Sequence, residues 1–313
     1  MPLPKDLGVA IEWLADGVGL VSPPPEHPGA KSLLLDEGSD VVLVDAGLDP
    51  ATRRKLAPHV DVCFLTHCHA PHAHGARDFR EVWAPKAEAR AMLGVEDYLT
   101  TYGVGRRDHD IVAGALRRTG YEPAHVSKQF RAGGLLKLDR SEWKILGAPG
   151  HSPGMVALLD EKRHILFAAD LDGEGPPWYG YPTSDPSELE RTAAMLADVP
   201  VAILATSHFP PRKRGIKPLF RGMADAIRDR DHKVLDTLET PRTLDELTDL
   251  GVLGVGPQAD AEKARPGGRA GLGVKPVDAL SRYHQRVMVE KHLARLMEKG
   301  FAAARQDGRF MRT

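Results

Sequence analysis

The chain has 313 residues, 42% of them hydrophobic and 27% charged, with a formal net charge of -1. That length supports a sizeable core in one large domain or two unequal ones, and the near-zero charge excludes recruitment of nucleic acid or an anionic membrane by a global field. Two cysteines, Cys63 and Cys68, suit a reducing compartment better than a structural disulfide; with no signal-type apolar core at the start and no run of about 18 apolar residues, a cytoplasmic protein without a membrane span is expected.

In chain order, Leu33-Leu34-Leu35 and Val41-Val42-Leu43-Val44 flank Glu37-Gly38-Ser39 and read as two strands joined by a turn. Their consecutive apolar residues predict a sheet covered on both faces. The second strand stops at Asp45-Ala46-Gly47, a helix-compatible piece covers 51–56, and a strand over 60–65 ends at Thr66-His67. Trp83-Ala84 reads as a short strand, and 87–130 as an irregular helical stretch carrying Tyr98, Tyr102 and Arg106-Arg107. Strands resume over 135–138, 143–148, 155–159 and 165–169. A Pro/Gly/aromatic loop at 173–182 leads to a helix over 187–197, and a strand over 201–205 delivers Ser207-His208. Strands interleaved with helices indicate an α/β layered domain.

Near Gly222 the character changes, which places a domain boundary between 1–220 and 221–313. The C-terminal part reads as a helix over 223–238, a capping-box start at Thr243-x-x-Glu246, and a loose Gly/Pro/Ala stretch at 251–276. Val289, Leu293, Leu296 and Met297 then form an apolar helical stripe, Gly300 stops the helix, and a hairpin turns at Asp307-Gly308. Helices followed by a hairpin suggest a winged-helix-like module.

The chemistry concentrates in Thr66-His67-Cys68-His69-Ala70-Pro71-His72-Ala73-His74-Gly75, directly after an apolar strand. This segment holds four of the chain's 14 histidines, and imidazoles clustered on one loop can converge on zinc or a related metal. Later strands end in Gly150-His151-Ser152-Pro153-Gly154, in Asp170 after Phe167-Ala168-Ala169, and in His208. An aspartate at the end of a buried strand needs a partner, because an unpaired buried charge is costly. Ligand-type residues at successive strand ends are most simply one site.

This order resembles the metallo-β-lactamase superfamily over roughly residues 8–220. The resemblance implies a four-layer αββα sandwich with a small C-terminal domain, as in the glyoxalase-II-like and endoribonuclease-like branch. It implies a first metal on His67, His69 and His151, a second on His72 and His208, and Asp170 bridging the two as the candidate catalytic carboxylate. Asp45-Ala46-Gly47 resembles the family's early turn that braces the site. The departure is Pro71, where the family usually carries an aspartate ligand. Zinc in a mononuclear or weakly binuclear site is therefore expected, with iron as the alternative metal. His74 reads as solvent-facing rather than as a rescuing ligand, and Cys68 as a weak candidate ligand pointing away.

The resemblance implies a metal-activated water that hydrolyses a small ester, thioester or lactone. The alternatives are a mononuclear iron(II) sulfur-dioxygenase-like enzyme, a nuclease or nucleic-acid binder using the C-terminal module, and a degenerate non-enzymatic binding module. Trp178, Tyr179, Tyr181, Tyr98 and Tyr102 are equally readable as pocket wall or as packing. Arg106-Arg107 and Arg212-Lys213-Arg214 are candidate contacts for an anionic tail, though such runs are more often solvated. The basic residues of the last helix alternate with Glu290 and Glu298, which argues against strong duplex binding and for a role in covering the site or in a homodimer.

Overall fold

A computed structural model describes residues 3–4, 7–25, 27, 29–253 and 278–313. The first sheet has seven strands in sequence order: β1 (Ile11–Ala15), β2 (Val18–Val21), β3 (Ser32–Glu37), β4 (Asp40–Val44), β5 (Val62–Phe64), β6 (Val82–Pro85) and β7 (Lys128–Phe130). The pairing is antiparallel from β1 to β4 and parallel from β4 to β7. The second sheet has five strands, β8 (Leu135–Lys137), β9 (Glu142–Gly147), β10 (Val156–Asp160), β11 (Ile165–Phe167) and β12 (Ile203–Ala205), in the order β12-β11-β10-β9-β8.

Strand periodicity assigns the layers. Leu33, Leu35, Val42, Val44 and Phe64 face Trp143, Ile145, Leu158 and Phe167 of the second sheet, whereas the alternating Leu34, Val41, Leu43 and Cys63 face outward. Helices cover that outward face: α1 (Pro50–Leu56), α3 (Val95–Thr101) and α4 (His109–Arg118), through Leu56, Leu99, Val112 and Leu116. α5 (Pro186–Ala197) joins the core on the far side through Leu189, Ala193 and Leu196. The result is helix–sheet–sheet–helix, and it explains why the inner strands are apolar at every position rather than at alternate ones.

The chain continues as α6 (Ile216–Thr237), α7 (Leu244–Asp249), α8 (Ala279–Glu298) and a hairpin of β13 (Ala302–Ala304) and β14 (Phe310–Arg312). The expected break near residue 220 falls inside α6, whose Phe220, Met223 and Ile227 belong to the same core cluster as the sheets. Thr243 and Glu246 form the expected capping box. Gly300, at φ 74°, ends α8 with Phe301 N–H bonded to Leu296 O and Gly300 N–H to Met297 O, a Schellman closure that requires a left-handed residue.

Sequence periodicity misplaces one apolar residue there. Val289, Leu293 and Leu296 are buried, but Met297 is 37% exposed, and Met288 fills the core instead. β1, β2 and β7 were not anticipated: Ile11-Glu12-Trp13 and Lys128-Gln129-Phe130 mix polar and apolar residues at sheet edges, where no strong periodicity is imposed. The loose stretch expected over 251–276 falls, beyond residue 253, outside the described residues. No helix among the described residues is long and apolar enough to cross a membrane.

Candidate metal centre

Every candidate ligand leaves the C-terminal end of a strand. β4 delivers Asp45, β5 the 66–72 loop, β9 His151, β11 Asp170 and β12 His208. Backbone hydrogen bonds tie these loops together, from Asp45 N–H to Phe64 O (2.8 Å), Val156 N–H to Thr66 O (3.0 Å) and Ser207 N–H to Ala169 O (3.0 Å). Asp45 and Ala169 sit at φ 65° and 45°, a strained region for residues with a side chain, so the surrounding bonds hold a costly backbone beside the site. Gly47 and Gly150 answer close approaches. A Cβ at Gly47 would fall 2.3 Å from Pro71 O, and one at Gly150, which has φ 117°, would fall 2.2 Å from Leu189 N.

His67, His69 and His151 bring three ring nitrogens within 4.8 Å of one another, and His72, Asp170 and His208 form a second such group. Asp170 lies between them. Its Oδ1 is 2.8 Å from His72 Nε2 and 3.1 Å from His208 Nε2, while its Oδ2 is 3.2 Å from His151 Nε2 and 3.8 Å from His67 Nε2. The six residues singled out from the sequence therefore converge.

The outward-turned nitrogens fix how these rings point. His72 Nδ1 contacts Asp45 Oδ2 at 2.9 Å, His67 Nδ1 lies 3.0 Å from Thr66 Oγ1, and His151 Nδ1 donates to Trp178 O at 3.1 Å. Such partners set the tautomer of a ligating imidazole and aim its other nitrogen inward. Asp45 also accepts from Thr66 N–H and Oγ1–H, so its carboxylate braces the loop. That usage accounts for a third grouping, Asp45 with His67 and His72.

The donor set fits a metal ion. The buried Nε2 of His67 has no hydrogen-bond partner among the described residues, an expensive condition unless something else satisfies it, and the His72 and His208 rings share one Asp170 oxygen. His69 presents Nδ1 to the first group, 2.9 Å from His151 Nε2. Burial, reinforced by neighbouring rings, pushes the His67 and His69 pKa values well below normal, which keeps them neutral as ligation requires. Burial alone would raise the Asp170 pKa, but His72 and His208 outweigh it and hold the carboxyl ionised.

Pro71 occupies the first turn of a four-residue helix, α2 (Ala70–Ala73), where its fixed φ and missing N–H are tolerated. Its side chain supplies no donor. His74 takes neither of the roles considered for it: it is half-buried rather than solvent-facing, its Nδ1 contacts Ala70 O at 3.0 Å and its Nε2 lies 3.3 Å from Arg53 Nη1. Cys68 is fully buried beside Cys63, both thiols are free, and neither joins a ligand group.

Glu88 was not legible beforehand. Fully buried, it accepts from Cys68 N–H (2.8 Å), Tyr102 OH (2.5 Å), Ser152 Oγ (2.5 Å) and Gly154 N–H (2.7 Å). One carboxylate thus joins the His67–His69 loop to the His151 loop. In the sequence it sits at the start of the 87–130 stretch read as irregular helix, where nothing local marks it out.

The site opens into a cavity of about 750 Å³. Trp178, Tyr98 and Tyr181 line it, whereas Tyr179 and Tyr102 are packing residues, the first bonded to His292 and the second to Glu88. Asp172 also lines it; burial and then the neighbouring Asp170 charge raise its pKa to about 6. Arg106 and Arg107 are exposed and do not line the cavity, and Arg212 pairs with Glu174.

Compared with known proteins, residues 29–208 match the family described as the metallo-beta-lactamase superfamily. The chain is 30% identical over 178 residues to the acyl-coenzyme A thioesterase MBLAC2 of Homo sapiens, covering 53% of this chain and 56% of that one. It is 29% identical over 129 residues to the Gallus gallus protein of the same name, covering 40% and 47%. The chain therefore spans about half the length of these curated relatives. It is 22% identical over 154 residues to the hydroxyacylglutathione hydrolase GloC of Haemophilus influenzae, covering 46% and 66%. A solved metallo-beta-lactamase family protein from Thermus thermophilus superposes with a TM-score of 0.73 at 21% identity, covering 96% of this chain and all of that one. On the family match and the shared fold, the chain belongs to the metallo-beta-lactamase superfamily.

Proposed function

We propose that this protein is a metal-dependent hydrolase of small acyl compounds, with thioesters ahead of esters and lactones. The observation that carries the reading is Asp170, one carboxylate facing two histidine groups, with the buried Nε2 of His67 left unpartnered among the described residues, at the end of an open cavity. Relatives named as a thioesterase and as a hydroxyacylglutathione hydrolase support the same chemistry.

In this reading His67, His69 and His151 hold the first ion, His72 and His208 contribute to a second position, and Asp170 serves both. Zinc suits this donor set, and iron is the alternative. When bound, a divalent ion lowers the pKa of its water towards about 7 and polarises the acyl carbonyl. The chain's own groups position the reactants. Asp170 accepts a hydrogen bond from the attacking water, and Asp45, Thr66 and the Trp178 carbonyl keep the three rings aimed. The reaction balances without redox: water oxygen bonds the acyl carbon, the C–S or C–O bond breaks, and the thiol or alcohol leaves with a proton.

Occupancy of the second position is weak in this reading. Two divalent charges about 4 Å apart repel by roughly 16 kcal/mol at an effective dielectric of about 20, and anionic ligands offset that repulsion. With proline at 71, Asp170 is the only carboxylate in the two histidine groups that hold the ions. Metal content and thiol release test the proposal together. The expected result is about one tightly held ion per chain, with hydrolysis abolished by a chelator and restored by metal. Pro71→Asp is expected to retain a second ion through dialysis. Fully loaded protein that turns over no thioester, ester or lactone overturns the hydrolase reading.

A further inference from the structure

The far end of the cavity is apolar in a regular way. α4 turns Val112, Ala115, Leu116 and its C-cap Thr119 onto the lining, a spacing of i, i+3, i+4 and i+7 that marks one helical face. The first turn of α8 faces it with Leu280, Ser281 and His284. Trp178 and Tyr181 close the space over His284, with ring centroids 5.2 and 5.5 Å from that imidazole. At the metal end, Ala70 and Pro71 continue the apolar wall. No lysine or arginine lies among the described lining residues. Burial lowers the His284 pKa to about 4, so this ring is neutral at pH 7.

The opposite side differs. His208 has a side chain 40% exposed, and Asp172 and Gly175 line the cavity near it. A reacting acyl carbon beside Asp170 therefore meets a largely apolar arm in one direction, whose charged lining group is the exposed Asp278 capping α8 through Ser281 N–H, and a solvent-open rim in the other.

We propose that the arm between α4 and α8 binds an unbranched aliphatic acyl chain of the substrate, while the polar leaving group lies towards the His208 rim. The assignment rests on the hydrolase reading for its chemistry and on the lining of the arm for its selectivity. A neutral, flexible chain matches a wall that offers apolar contact area from Val112, Ala115, Leu116 and Leu280 and few polar groups. An anionic acyl tail would be buried there without a partner. Burial of each added methylene is worth about fourfold in kcat/KM until the arm is filled.

The test uses acyl thioesters from acetyl to dodecanoyl on one thiol, with metal-loaded wild type and Ala115→Phe. Ala115 is half-buried on the lining and far in sequence from every ligand. The wild type should rise about fourfold per methylene and then level off. Ala115→Phe should level off several carbons earlier, with acetyl turnover falling far less than dodecanoyl turnover. Leu280→Ser, at another half-buried lining position, should flatten the same series if the first variant folds poorly. In parallel, calorimetry on metal-free protein should show 1-octanol binding more tightly than 1-butanol, with a negative heat-capacity change, and Ala115→Phe should weaken octanol.

Hydrolysis with a flat chain-length series, or an equal loss for acetyl and octanoyl in both variants, overturns the arm and leaves the hydrolase reading standing. Length-dependent alcohol binding that Ala115→Phe removes, in a protein that hydrolyses nothing, keeps the arm and overturns the hydrolase reading.

Discussion

Two clusters in this molecule use the same residue types to opposite ends. Around Asp231 the carboxylate and its direct partners satisfy one another, Arg230 Nη2 at the edge of the network being unpaired among the described residues: His292 places Nδ1 2.7 Å from Asp231 and Nε2 2.6 Å from Tyr179 OH, and Arg295 donates to Asp231, Ser187 and Glu190. Lys299 adds a contact at 3.1 Å. Around Asp170, by contrast, the equally buried Nε2 of His67 has no hydrogen-bond partner among the described residues, and four imidazoles converge on one carboxylate. A buried His/Asp cluster is therefore no sign of a site by itself. What separates a site from a brace is whether the side chains close the hydrogen bonding among themselves, since an incomplete buried set is tolerated only where another group completes it.

The largest effect should come from attacking the incomplete cluster. Asp170→Asn keeps the shape and removes the charge that both histidine groups face. Metal affinity should fall by more than the roughly 10–100-fold that loss of an outer partner costs, with turnover lost in step. Metal should also stabilise the wild type, by about 4 kcal/mol at a thousandfold excess over Kd. Thermal unfolding with and without metal measures this, and an unchanged midpoint would place the Asp170 cluster with the braces.

The Asp231 cluster should respond in the reverse manner. Asp231→Ala leaves the buried Arg295 without its main counter-charge and should destabilise the fold by about 3–5 kcal/mol, read by denaturant unfolding, with metal stoichiometry unchanged. Burial alone would raise the Asp231 pKa, but hydrogen bonds from His292 and Arg295 hold it well below the usual range. Because the folded value is depressed, this stabilisation is complete above the unfolded pKa of about 4 and is lost as pH falls towards the folded one. A stability profile that is flat below pH 4 in wild type and in Asp231→Ala alike would contradict the assignment.

How much of this was legible follows from the range over which each interaction acts. Candidate ligands were readable because metal binding restricts residue type and each candidate follows a strand, so His67, His69, His151, Asp170 and His208 announce themselves locally. Strands β3, β4 and β10 were readable locally too, through continuous apolar runs, and β9 through its alternating Trp143-Lys144-Ile145. Glu88, Asp231 and His292 were not, because their roles depend on partners 14 to 113 residues away, and a lone acidic residue or histidine in a mixed helix looks solvated. The cations of α8 taught the same lesson: Arg282, Arg286, Lys291, Arg295 and Lys299 all contact acidic or carbonyl groups within the chain, which supports reading that helix as a brace.

An intermediate effect comes from Asp45, which belongs to the site while being satisfied itself. Asp45→Asn keeps an acceptor for Thr66 but weakens the hold on His72 Nδ1, so affinity at the His72–His208 position should fall about 10–100-fold. Metal titration of Pro71→Asp with and without Asp45→Asn isolates that loss. An equal fall at the His67–His69–His151 position would mean that Asp45 braces the loop as a whole.

The smallest effect concerns the one place where the two clusters meet. Tyr179 closes the Asp231 network through His292 and through Arg230, whose Nη1 is 2.9 Å from the phenol oxygen; its neighbour Trp178 offers the carbonyl that His151 Nδ1 bonds. Tyr179→Phe removes one hydroxyl from a buried network and should cost about 1–2 kcal/mol of stability. Arg230 also donates to Pro177 O, at 2.5 Å, so the 177–181 loop keeps a second anchor and His151 should keep its tautomer. The metal stoichiometry should therefore not change. Loss of the first ion in Tyr179→Phe would show that the C-terminal helices do more than brace the fold: they would aim a ligand across three residues of loop.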